Sequence, residues 1–397
     1  MNTLMITRRY GAKGGPAARR LDHLAGAFAA KGAVVVVCVA RTPDVATSPA
    51  RLFPVEDGGV RRLGPAQGST IDARYKSNRL VRSLLSLRKS YPFVLWLGDG
   101  NGRYRQRAFT RAVELVEREE IQQVFSSFAP YSDHLVARRL KTRYPHLHWI
   151  ADFRDLPVDP VRKDVWFPAL QRWWGKRVIR SANELWVVSE GQRAQLCDWH
   201  PTVRVVRNAM THLPPARSAP WSGRFTIAYT GSFYPWLLTV APLVNGLKQL
   251  LAEGSLLPEE LLLQYRGKDL AAFRERVRGL PAASLDLQPA VDPAAARALQ
   301  ENAQVLLLLT WSAPDYYGLL TAKLWDYLAT GRPVVAIVRG PGDRELKDIL
   351  EGASAGAVFG TKEQGKVTKH LRALVATWRE EGTIATAPDL ARLRQYC

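Results

Sequence analysis

Cysteine is scarce. Cys38, Cys197 and Cys397 are the three in 397 residues, far apart and with no Cys-x-x-Cys spacing. This excludes a disulfide framework or a zinc cluster and suits a reducing cytoplasm. Long apolar runs are also missing: "GAVVVVCVA" and "VLLLLTW" fall far short of the roughly 20 residues a spanning helix needs. The opening "MNTLMITRRY" places apolar residues before its arginines, the reverse of a secretory leader. A soluble or peripheral protein is expected. At this length, two domains of about 200 residues are the default.

Acidic residues fall well short of the basic ones in the first half. Residues 1–207 hold 35 Lys and Arg against 18 Asp and Glu, whereas residues 208–397 hold 21 against 18, so nearly all of the formal +20 charge is N-terminal. From Arg61 to Arg111 there are twelve basic residues and only Asp72 and Asp99, interleaved with Tyr75, Leu84, Tyr91 and Trp96. "WFPALQRWWGKRVIR", from Trp166, mixes three tryptophans with Arg172, Lys176, Arg177 and Arg180. Basic residues near an anionic leaflet contribute about 1 kcal/mol each, and tryptophan favours the headgroup layer. The pattern therefore points to an anionic membrane surface. A solvated face over core tryptophans and a nucleic-acid footprint are the other readings.

Runs of Val, Ile and Leu alternate with amphipathic stretches, the βαβ pattern of parallel sheets covered on both faces. Strands are expected at "NTLMIT", "AVVVVCV", "FVLWLG", "QQVFSS", "HWIAD" and "ELWVVS", with helices between them. The proline-rich "THLPPARSAPWSG" breaks the pattern, and a second series follows from "FTIAYTG" to "AGAVFG". The expected architecture is two tandem Rossmann-like, doubly wound parallel-sheet domains facing across a cleft. They span residues 1–207 and 223–397, joined by a linker at 208–222, with the last helix free to return to the first domain.

Ligands of such sheets bind at the carboxyl ends of the strands. Gly14 and Gly15 precede Pro16 after the first strand, in a loop fit for phosphate but matching neither Gly-x-Gly-x-x-Gly nor a Walker loop. Asp152, Arg154 and Asp155 end "WIADFRDLP"; Ser126, Ser127 and His134 follow another strand. In the second domain, Gly231 with Ser232 and Gly267 with Lys268 hold equivalent places. In "DYYGLLTAKLWDYLATGRPVVA", Leu320, Leu324, Tyr327 and Leu328 form a core stripe, while Lys323 and Asp326 share a neighbouring face. The ammonium suits a diphosphate and the carboxylate a pair of ribose hydroxyls. An exposed Lys–Asp pair worth about 0.2–0.5 kcal/mol is the structural alternative.

In order, "GGPAARRLDHLAGAFAAKG", "WIADFRDLP", "ANELWVVSEGQRAQL", "VRVVRNAM", "FTIAYTGSFY" and "GLLTAKLWDYLATGRPVVA" run nearly the length of the chain. Together they resemble nucleotide-sugar glycosyltransferases of the GT-B fold, in particular family 4 of retaining enzymes. The last segment is similar to that family's donor-site pattern, Lys-Leu-Phe-Glu-Tyr-Leu-Ala-x-Gly-x-Pro. The resemblance implies that Gly14 and Gly15 lie near the donor diphosphate, and that Gly318, Leu319, Leu320 and Thr321 offer it backbone N–H groups. Lys323 would neutralise it, Asp326 would hold the ribose, and Asp152 and Asp155 would face the acceptor.

The chain departs from the family in three places. Asp326 stands where Glu is usual; Gly318 replaces an earlier Glu, blurring the identity of the sugar; and "PWLLTV" after "YTGSFY" lacks the customary phosphate-clamping Arg and Lys. Charge compensation then rests on Lys323, with Lys268 or Arg8 in support. The absence of Asp-x-Asp fits the fold, and no cofactor or essential metal is expected. The implied activity is transfer from a nucleotide-diphosphate sugar to an acceptor hydroxyl, on a glycan or lipid-linked acceptor of a bacterial surface polysaccharide, lipopolysaccharide or capsule. The enzyme would be cytoplasmic and peripheral on the inner membrane face. A nucleotide-sugar epimerase on the same fold is the alternative, and a basic nucleic-acid-binding protein is a more distant one.

Overall fold

Unbroken apolar stretches such as "VLLLLTW" fold here as strands buried on both faces, and amphipathic stretches between them fold as covering helices. The computed structural model describes residues 1–8, 10, 16–39, 50–55, 79–96, 102–161, 163–215, 223–384 and 388–397. The chain divides into two units, Met1–Arg207 and Asn208–Cys397.

The first unit runs β1 (Thr3–Ile6), α1 (Pro16–Ala29), β2 (Val34–Val39), β3 (Arg51–Val55), α2 (Arg79–Lys89), α3 (Gly102–Arg118), β4 (Gln123–Phe128), α4 (Tyr131–Arg143), β5 (His148–Phe153), α5 (Pro168–Ile179), β6 (Glu184–Val187), α6 (Glu190–Leu196) and β7 (Val203–Val205). Its seven-stranded sheet has the order β3-β2-β1-β4-β5-β6-β7, and every pairing is parallel. Helix α3 shows why the covering layer forms: Tyr104, Ala108, Ala112 and Leu115 recur at helical spacing and are all buried.

The second unit runs β8 (Phe225–Thr230), α7 (Ala241–Ala252), β9 (Leu261–Gly267), α8 (Leu270–Val277), β10 (Leu285–Pro289), α9 (Pro293–Glu301), β11 (Val305–Trp311), α10 (Ala322–Leu328), β12 (Val334–Arg339), α11 (Arg344–Leu350), β13 (Gly356–Gly360), α12 (Gln364–Glu381) and α13 (Leu390–Leu393). Its six strands are ordered β10-β9-β8-β11-β12-β13 and are again all parallel. In each sheet the strand order reverses beside the first strand, at β1/β4 and at β8/β11. This is where a doubly wound sheet opens a crevice for ligand.

Two local expectations change. The run "FVLWLG" is not a strand where described: Phe93–Leu95 is one turn of 3₁₀ helix, with Leu95 N–H donating to Pro92 O at 3.0 Å. The neighbouring N–H groups bond locally as well, Val94 to Ser90 O and Trp96 to Phe93 O, while Leu95 O accepts from Arg105 Nη2 at 3.1 Å. The third strand is instead "RLFPV", an edge strand that tolerates Pro54 because one side needs no partner. The last helix packs within the second unit: Leu393 is buried in that core and the Tyr396 ring lies 5.2 Å from Trp325. Of the proline-rich stretch 208–222, residues 216–222 lie outside the described residues.

Candidate functional site

In the second unit, the carboxyl ends of β8 and β9 meet beside Lys323. Tyr229, fully buried near the end of β8, is fixed by stacking at 5.7 Å on Tyr265 and 5.8 Å on Phe273. Its hydroxyl donates to Ser232 O at 2.7 Å and accepts from Lys323 Nζ at 2.9 Å. One turn later on α10, the Tyr327 hydroxyl accepts from Thr230 N–H at 3.1 Å. Two helix residues four apart thus grip consecutive residues of β8, which sets the rotation of α10 and aims Lys323 at the β8 loop.

That loop is glycine by necessity. Gly231 has φ +112°, and a Cβ there would lie 2.9 Å from Lys323 Cε and 3.2 Å from Nζ. A Cβ on Gly267 would meet Gly231 O at 2.1 Å, so the ends of β8 and β9 touch backbone to backbone. Lys323 as a residue keeps intermediate exposure while its ammonium is enclosed, and the burial pushes its pKa down to about 7. Lys268 is exposed at the end of β9. Asp326 is half-buried one turn beyond Lys323, and its backbone oxygen accepts from Arg297 Nη1 at 3.5 Å.

The loop before α10 differs from the expected phosphate cradle. Gly318, at φ +72°, and Leu319 both donate their N–H groups to Asp343 Oδ2, at 2.8 and 3.3 Å. Leu320 N–H donates to Gly318 O at 2.9 Å and Thr321 N–H to Leu319 O at 3.1 Å. All four N–H groups that the resemblance gives to a diphosphate already have acceptors within the chain. Asp343 also caps α11 by accepting from Leu346 N–H at 3.0 Å, and its burial raises its pKa. Beside it, a cavity of about 520 Å³ is lined by Tyr317, Asp343, Arg344, Lys347, Phe359 and Glu363. The Arg344 guanidinium sits 4.2 Å from the centre of the Tyr317 ring.

The first unit gathers charge at the ends of β1, β4 and β5. Asp152 is fully buried: its Oδ1 accepts from Arg20 Nη2 at 2.6 Å, and its Oδ2 from Ser127 Oγ at 2.8 Å and Arg20 Nε at 3.4 Å. Both oxygens of this carboxylate, which the resemblance turns toward the acceptor, have donors within the chain. Asp155 is exposed, 3.8 Å from Arg154. Sequence reasoning missed Asp133, which is buried and accepts from Arg8 N–H at 3.0 Å and the Tyr104 hydroxyl at 2.8 Å. Burial raises its pKa to about 7, the Arg8 and Tyr104 hydrogen bonds only partly opposing the rise. Its neighbour His134 lies 2.8 Å from Ser126 Oγ and is pushed down to about 3 by burial, so it is neutral at pH 7. Gly14 and Gly15 lie outside the described residues. Among the described residues no cluster of His, Cys, Asp and Glu is arranged to hold a metal ion, and no helix is long and apolar enough to cross a membrane.

Two parallel Rossmann-like sheets in tandem, each reversing its strand order beside its first strand, are the architecture of the GT-B fold of glycosyltransferases. The chain is similar along its whole length to sucrose-phosphate synthase from Thermosynechococcus elongatus, with a TM-score of 0.59 at 13% identity over 94% of that chain. It is likewise similar to TarM, with a TM-score of 0.60 at 7% identity over 95% of that chain. A glycosyltransferase from Rickettsia africae aligns over 99% of this chain and 91% of its own, with a TM-score of 0.56 at 10% identity. No protein-family model and no curated protein sequence matches the chain.

Proposed function

We propose that the chain is a glycosyltransferase that moves a sugar from a nucleotide-diphosphate donor to an acceptor hydroxyl, with retention at the anomeric carbon. The observation that carries the reading is the Lys323 ammonium, enclosed at the strand-order switch of the second sheet under a glycine that leaves it room. An ammonium stripped of water has no countercharge from the Tyr229 hydroxyl, and a diphosphate at the Gly231 loop supplies one.

As the glycosidic bond breaks, the leaving diphosphate gains negative charge, and a positioned cation lowers that barrier more than it stabilises the bound ground state. With Asp343 holding Gly318 and Leu319, and with α10 only seven residues long, the burden falls on Lys323. Exposed Lys268 adds charge at the same strand ends, and Asp326 takes the ribose hydroxyls. In the first unit, Asp152 serves an acceptor indirectly, by fixing Arg20, while exposed Asp155 contacts it. The acceptor is a glycan or a lipid-linked intermediate of a bacterial surface polysaccharide, met at the inner membrane face. No cofactor or essential metal is needed.

Isothermal titration against a panel of nucleotide-diphosphate sugars tests this reading. Binding of one or more donors by the wild-type protein, with roughly a tenfold or greater loss in Lys323→Ala, supports it. If no donor binds, or Lys323→Ala binds like wild type, the reading fails. Conversion of the donor sugar without any acceptor would make the chain an epimerase instead.

A further inference from the structure

Five consecutive residues of the first unit, Trp166, Phe167, Pro168, Ala169 and Leu170, are all exposed. Phe167 is 54% exposed, and Trp173, one turn beyond Leu170 on α5, is 53% exposed. The opposite face of α5 already buries Gln171, Trp174, Gly175 and Val178, so the helix has a buried inner face and a second, apolar face that no element among the described residues covers. Isolated exposed apolar residues are ordinary, but a contiguous run of this size marks an interaction surface.

The patch extends beyond α5. Trp166 N–H donates to Ser90 Oγ at 2.7 Å, Tyr91 N–H donates to Gln171 Oε1 at 2.8 Å, and the Tyr91 ring stacks on Trp174 at 4.9 Å. These contacts seat the segment that carries Trp96, 68% exposed, beside α5. Phe167 sits at φ +53°, ψ +61°, a left-handed conformation that glycine or asparagine adopts at little cost and a bulky ring does not. Such an outlier on an exposed aromatic residue is a pointer to function.

Charge selects the occupant. Residues 163–180 carry Lys163, Arg172, Lys176, Arg177 and Arg180 against Asp164, and residues 79–96 carry four basic residues and no acid. Asp164 is itself paired with Lys89, and Arg177 lies 5.9 Å from the Trp173 ring. Tryptophan and phenylalanine at the headgroup layer, ringed by cations that meet lipid phosphates, form the interfacial pattern of a peripheral membrane protein. We propose that this face, centred on Trp166, Phe167, Leu170 and Trp173, docks the protein onto an anionic lipid bilayer. The proposal deepens the membrane-side acceptor of the functional reading and rests on that reading for its purpose, but its chemistry can be tested without any donor.

The test is flotation of the full-length protein with phosphatidylcholine vesicles, with and without phosphatidylglycerol. Co-flotation only with the anionic vesicles, weakening at high salt, is the expected result. Trp166→Ser combined with Trp173→Ser should lower partitioning on the order of tenfold and abolish a blue shift of tryptophan emission on vesicles, while leaving the circular dichroism of the fold unchanged. Lys323→Ala should float like wild type, so a failure of donor chemistry and a failure of docking are read separately. Absence of anionic preference, full partitioning by the double variant, or a change of oligomeric state in that variant would overturn the proposal, the last by assigning the patch to a second copy of the chain.

Discussion

The Lys323 ammonium donates to the Tyr229 hydroxyl at 2.9 Å and stands 4.3 Å from the centre of the same ring. An aromatic ring and a neutral hydroxyl stabilise a cation only partly, and burial dominates the balance. The amine is therefore about half protonated near pH 7 when the site is empty.

Donor affinity should follow that proton. A nucleotide-diphosphate sugar prefers the charged amine, so binding weakens above about pH 7, approaching tenfold per pH unit. Titration calorimetry across that range in wild type and Lys323→Ala checks it: the variant should bind weakly with a flat profile. The folding linkage has a definite sign. The unfolded lysine holds its proton to about pH 10 while the folded one loses it near 7, so its contribution to stability falls as pH drops from ten to seven. Lys323→Met should remove that slope from urea-unfolding curves.

The two glycines at the ends of β8 and β9 should separate by effect. Gly231→Ala places a methyl group against the flexible end of Lys323 and strains φ +112°, so the fold persists while donor affinity drops roughly tenfold. Gly267→Ala drives a methyl group into Gly231 O, and backbone cannot step aside; a lowered unfolding midpoint is expected. Thermal shift with and without donor distinguishes them.

Asp152 offers a test between a structural and an acceptor role. Asp152→Ala leaves the Arg20 guanidinium buried without its carboxylate, at a cost of about 3–5 kcal/mol in urea unfolding. A variant that keeps its stability but loses only acceptor turnover would show the carboxylate to act on acceptor directly.

Asp133 should titrate in the neutral range. Its folded pKa is raised to about 7 from an unfolded value near 4, so the stability it contributes is fully present below about pH 4 and is lost as pH rises to about 7. Asp133→Asn keeps a hydrogen-bonding side chain and should flatten that segment of the stability profile.

How much of this was legible depends on how local each signal is. Lys323 and the α10 stripe could be read because helical spacing lies within seven residues, and the alternation of strands and helices predicted both sheets. Tyr229 carried no such mark, since its part comes from the packing of α10 on β8. Asp343 carried no such mark either: it caps α11, but its reach to Gly318, 25 residues earlier, comes from the β12 turn and from nothing in the spacing. The "FVLWLG" run misled because β propensity supplies no neighbour to pair with.

The proline of β3 reaches beyond the site. Pro54 lies in the strand at one edge of the first sheet, Pro289 ends the strand at one edge of the second, and the first sheet's other edge, β7, is three residues long. Each proline lacks the N–H that an incoming chain would need in order to extend the ladder, and a three-residue strand offers little to copy. Among the described strands, three of the four sheet edges are thereby poor templates for aggregation, a safeguard of value to a chain whose slow-forming parallel pairings leave strands uncovered while it folds.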